Sequence, residues 1–96
     1  MIKTFILEGI DPESTGDSQG HRRMVCLIRG GGKLAIWGED RDTRNIDKVK
    51  GVVADHGWPV VVRCDVRPPG ERERTEYGHT YWARQTARLD AIPGKK

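Results

Sequence analysis

Apolar and polar positions alternate most cleanly near the middle of the chain, where Val60, Val62, Cys64 and Val66 interleave with Val61, Arg63, Asp65 and Arg67. A period of two predicts a strand with one face in a core and the other in water. Just upstream, within residues 43 to 56, Ile46, Val49, Val52 and Val53 are spaced three, three and one apart. That spacing draws one narrow apolar stripe along a helix. Asp42 or Thr43 is placed to cap its start and Gly57 its end. Gly51 and the β-branched residues of the stripe weaken the intrinsic propensity, so burial has to hold this helix.

The remaining apolar runs are strand-like. Residues 2 to 10, Ile-Lys-Thr-Phe-Ile-Leu-Glu-Gly-Ile, carry β-branched and aromatic side chains without helical spacing and form a first strand. Residues 11 to 20 are rich in Gly, Pro, Ser and Asp and form a loop. Met24 to Ile28 is a short second strand, Gly30 to Gly32 turns the chain, and Lys33 to Trp37 is a third, so the second and third strands pair as a hairpin. Gly38 lets the chain bend away towards the helix. After the fourth strand, Pro68-Pro-Gly ends the run and Glu71 to Glu76 is a charged loop. A fifth strand spans about Gly78 to Ile92, with Tyr81, Ala83, Ala87, Leu89 and Ala91 on one parity and Trp82, Arg84, Thr86 and Arg88 on the other. Residues 93 to 96 are a fraying basic tail. The order is β-β-β-α-β-β within one domain, residues 1 to 92. A hydrophobic fraction of 35% leaves only a small core, which a small barrel suits.

The segment Ile36-Trp-Gly-Glu-Asp40, which follows a glycine-rich hairpin and precedes the helix and the run Gly57 to Val66, resembles the corresponding part of OB-fold single-stranded nucleic-acid-binding domains of the replication protein A-like and archaeal single-stranded DNA-binding kinds. The resemblance spans residues 24 to 92 loosely. It implies a mainly β fold, a five-stranded OB-fold barrel with one short helix between strands three and four. It also implies a ligand lying along one strand face and two loops.

Charge sharpens that expectation. Residues 1 to 60 hold nine basic and nine acidic side chains, whereas residues 61 to 96 hold eight basic and five acidic, so the formal charge of +3 arises entirely in the C-terminal third. Eleven of the cations are arginine, which forks onto phosphates and stacks on bases. A single-strand binder needs such cations for the backbone and aromatic faces for the bases. The candidates are Arg23 and Arg29 on the second strand, Lys33 and Trp37 on the third, Arg67, Arg72, Arg74 and Tyr77 in or beside the loop before the fifth strand, and Trp82 and Arg84 on that strand. Trp37 shares parity with Ala35 and stands either as a lid on the barrel mouth or as a stacking platform. Glu71, Glu73 and Glu76 alternate with the loop arginines and offer them partners within the loop. Trp58 and Tyr81 are assigned to structure.

Catalytic chemistry finds no motif: there is no phosphate loop with its lysine, no HExxH and no GxSxG. Cys26 and Cys64 sit inside apolar runs and read as small buried hydrophobes, and His21, His56 and His79 lie far apart, so neither a metal nor a cofactor is expected. No apolar run is long enough to span a membrane and no secretion signal opens the chain, which together predict a cytoplasmic protein. The reading is a non-catalytic domain that binds single-stranded nucleic acid, DNA more than RNA. An aromatic content of 6% and the even charge of the first 60 residues also fit a protein-interaction module on the same scaffold, of the kind that serves phages or plasmids as an accessory factor. Pairing of two copies through the first or fifth strand stays open.

Overall fold

The computed structural model describes residues 1–12, 16–18, 21–39, 41–71, 74 and 78–95, with backbone alone for 16–18, 21 and 22. The elements are β1 (Ile2–Ile10), β2 (Gly16–Ser18), β3 (His21–Ile28), β4 (Lys33–Glu39), α1 (Arg44–His56), β5 (Val60–Asp65), β6 (Thr80–Ala83) and β7 (Leu89–Pro93). The protein is mainly β, with this helix between β4 and β5 as the apolar patterns require.

The strands form one mixed sheet along the path β6-β4-β3-β1-β5-β7, with β2 off the path beside β3. All neighbours are antiparallel except β4 and β6, which run parallel. The path is open at β6 and β7, so the five-stranded closed barrel is replaced by a larger, unclosed sheet. One reason is that the expected fifth strand is two. At Arg84 the chain leaves the sheet and turns, with the Ala87 amide donating to the Arg84 carbonyl at 3.0 Å. Residues 80–83 thus lie along β4, while residues 89–93 lie along β5. A second reason is that the expected loop of residues 11 to 20 contains β2, which folds back on the start of β3. Beyond β5, Arg67 makes a single antiparallel bridge to Trp82, its amide and carbonyl exchanging hydrogen bonds of 2.8 and 3.1 Å with that residue.

The core lies between the inner face of the sheet and α1. Val60, Val62, Cys64 and Val66 are buried while Arg63, Asp65 and Arg67 are exposed, as the alternation demands. Ile46 and Val49 are buried and Val52 and Val53 pack against the same cluster, together with Trp58 and Tyr81. Burial stabilises each such aliphatic side chain by about 1.5–3 kcal/mol, which offsets the poor helix propensity of this segment. At the start of α1, Thr43 is the cap residue, but its hydroxyl donates to the Asp47 carboxylate at 2.7 Å and accepts no hydrogen bond from the first-turn amides. At the end, Gly57 adopts φ of 76° and donates its amide to the Val53 carbonyl at 2.8 Å. Gly38 is where β4 meets this helix. A Cβ there would lie 3.0 Å from Ile46 Cδ1 and 3.2 Å from the Asp42 carbonyl oxygen, so the close seat of the helix needs a residue without a side chain.

Candidate nucleic-acid interface

On β4 the inward side chains Leu34 and Ile36 join the core, and Trp37 takes the opposite face. The antiparallel register of β3 and β4 sets Arg23 directly across from Trp37, and the parallel register of β4 and β6 sets Trp82 beside Ala35. Three strands thereby converge on one outer patch. The indoles of Trp37 and Trp82 stack at a centroid distance of 5.3 Å and an interplanar angle of 23°. The guanidinium carbon of Arg23 lies 5.7 Å from the Trp37 ring and that of Arg67 lies 5.7 Å from the Trp82 ring. The result is a row in the order Arg23, Trp37, Trp82, Arg67. Each such cation–π contact is worth about 0.5–1 kcal/mol at a wet site. Ala35 shares this face in register with the rings and is only 1% exposed. Arg23 Nε and Trp82 Nε1 are buried donors with no acceptor among the described residues.

Beside the row runs an open groove of about 490 Å³, lined by Trp37, Glu39, Arg67, Trp82, Arg84 and Gln85. A second hollow of about 320 Å³ shares Arg67, Trp82 and Arg84 with it and continues past Val66 to Thr86 and Ala87. A smaller hollow of about 150 Å³ lies elsewhere, among Ile2, Arg63, Asp65, Arg88 and Asp90, where the two cations face two carboxylates.

The wall formed by residues 84 to 88 is held by side chains. Asn45, 1% exposed at the start of α1, donates through Nδ2 to the carbonyls of Arg84 at 3.2 Å and Ala87 at 2.9 Å. Lys48 Nζ donates to the Leu89 carbonyl at 2.8 Å, and Gln85 Nε2 donates to Glu39 Oε1 at 2.9 Å. The helix therefore fixes the turn that carries Arg84 into the groove.

Arg23, Trp37, Arg67, Trp82 and Arg84 are thus brought together. Other expected residues are not. Arg29 lies beyond the far end of β3, where its Nε pairs with Glu8 at 2.6 Å, and Lys33 lies at the opposite end of β4 from Trp37, paired with Asp11 at 2.6 Å. Arg74 is exposed between β5 and β6 and lines neither hollow of this face. Arg72 and Tyr77 fall outside the described residues. Glu39, Gln85 and Asn45 were missing from the sequence-derived set. Glu39 was open to detection, because it lies two residues after Trp37 on the same strand and so shares its face. Asn45 precedes Val49 by four residues and therefore borders the apolar stripe of the helix.

At Asp42, whose backbone bridges to Glu39, the hydrogen-bonded Arg44 guanidinium holds the carboxyl below the usual carboxylate range. Burial pushes the thiols of Cys26 and Cys64 up to about 12. Among the described residues, no three of His, Cys, Asp or Glu gather into a metal-binding group, and no helix is long and apolar enough to cross a membrane. Protein-family models, curated proteins and solved structures all yield no match to this chain.

Proposed function

We propose that this protein binds single-stranded nucleic acid, DNA in preference to RNA, on the outer face of β3, β4 and β6. The observation that carries the reading is the row Arg23, Trp37, Trp82, Arg67 alongside an open groove that adds Arg84. Both faces of each indole are taken in that row, so a base stacks by displacing Arg23 or Arg67 from its ring, and the guanidinium groups at both ends and across the groove meet phosphates.

The arrangement of the strands is consistent with an OB-like reading of this mainly β sheet, which supports the same proposal. β1 pairs with β3 on one side and β5 on the other through a register shift between Leu7 and Gly9, the helix enters between β4 and β5, and the Arg67–Trp82 bridge draws β6 against the continuation of β5. The OB-fold is itself a partly open barrel whose ligands lie on the face of its second and third strands, and on the OB-like reading β3 and β4 stand in those places. The groove's stacking and cationic groups all belong to that face or to the segments around β6.

The test is a titration of the protein's tryptophan fluorescence with oligo-dT and oligo-U at low salt. Binding is expected to quench the emission, more tightly with DNA. Unchanged fluorescence and unchanged anisotropy of a labelled oligonucleotide sink the reading.

A further inference from the structure

We propose that Glu39 and Gln85 read the edge of a base held in the groove and favour guanine over thymine or uracil. This rests on the single-strand reading above and names what that site selects. A carboxylate in a groove furnished with two arginines, Arg67 and Arg84, is out of place if only phosphates are to be held, since it repels them. It fits a ligand that also presents donors. Gln85 Nε2 donates to Glu39 Oε1 at 2.9 Å, which fixes the amide's orientation, because a carboxylate only accepts. The pair is left with Glu39 Oε2, Gln85 Oε1 and one amide N–H unused, since neither side chain has another hydrogen bond or ion pair among the described residues. Both line the same groove as Trp37 and Trp82.

An edge with two acceptors and one donor matches guanine, whose Watson–Crick edge carries two adjacent donors, N1–H and the N2 amine, next to the O6 acceptor. Thymine and uracil place a single N3–H between two oxygens, which the carboxylate and the amide oxygen repel. Adenine and cytosine, with one exocyclic amine each, fall between. Glu39 is exposed, so the discrimination belongs at the weak end of base readout, about fivefold.

The experiment compares oligo-dT with the same strand carrying one central dG, dI, dC or dA, a design that avoids guanine quadruplexes, by anisotropy at low salt. The single dG is expected to tighten binding about fivefold, and dI, which lacks the N2 amine, to lose much of that gain. Glu39→Gln is expected to tighten binding of the all-thymine strand and to narrow its gap to the dG strand. Gln85→Ala, checked for folding by circular dichroism, provides a second variant expected to narrow the same gap. Equal affinity for all strands, or a dG preference undiminished in both variants, overturns the assignment while leaving single-strand binding intact. Absence of binding to every strand overturns both.

Discussion

Trp82 concentrates several roles in one side chain. It stacks on Trp37, carries Arg67 over its other side and bridges to the backbone of Arg67. Trp82→Ala keeps the backbone bridge and removes the ring, so affinity for oligo-dT is expected to fall by roughly 1–3 kcal/mol, the worth of one stacked base. Fluorescence from the remaining tryptophans or anisotropy of a labelled strand measures it. Cys26 makes a different kind of prediction. Its thiol is raised from 9.0 to about 12 by burial, so the folded state holds the proton more tightly than the unfolded chain. The sign follows: this contribution is fully present below pH 9 and is lost as the pH climbs towards 12. Denaturant melts across that range are expected to show the stability gap between wild type and Cys26→Ala shrinking as pH rises. That Cys26 and Cys64 are buried hydrophobes was legible from their apolar neighbours. The pairing of Lys33 with Asp11 and of Arg29 with Glu8 was not, because each joins residues more than 20 positions apart.

Among the elements, α1 links the core to the site. Its apolar stripe was readable because helical periodicity is local, and all four stripe residues meet the core. Its buried Asn45 was not readable as a clamp, since its partners are two carbonyls about forty residues downstream. Asn45→Ala leaves both carbonyls without that donor at a cost of about 1–3 kcal/mol. A urea melt is expected to show that loss. Because the freed turn carries Arg84 and Gln85, the oligonucleotide titration is expected to weaken as well. Gly38 shows the same coupling from the strand side: the glycine that ends the Trp37 unit gives Ile46 its seat, so the docking of the helix and the position of the indole are joined through adjacent residues.

Across the whole molecule, charge and topology act together. With Arg23, Arg67 and Arg84 each meeting one phosphate, log affinity against log salt is expected to fall with a slope of about −2, since each contact with a single strand contributes about −0.7. A flat salt dependence counts against the arginine assignment. The sequence by itself determined the two faces of β5, the helix, its place between β4 and β5 and the late surplus of cations, because alternation, helical spacing and composition are properties of neighbouring residues. Only the tertiary structure decided that residues 80–83 and 89–93 are separate strands on different partners, that β6 runs parallel to β4, and that Trp37 meets Trp82 between two arginines. Those contacts join positions scattered from residue 23 to residue 82, and their geometry follows from strand register, which periodicity within each strand does not specify.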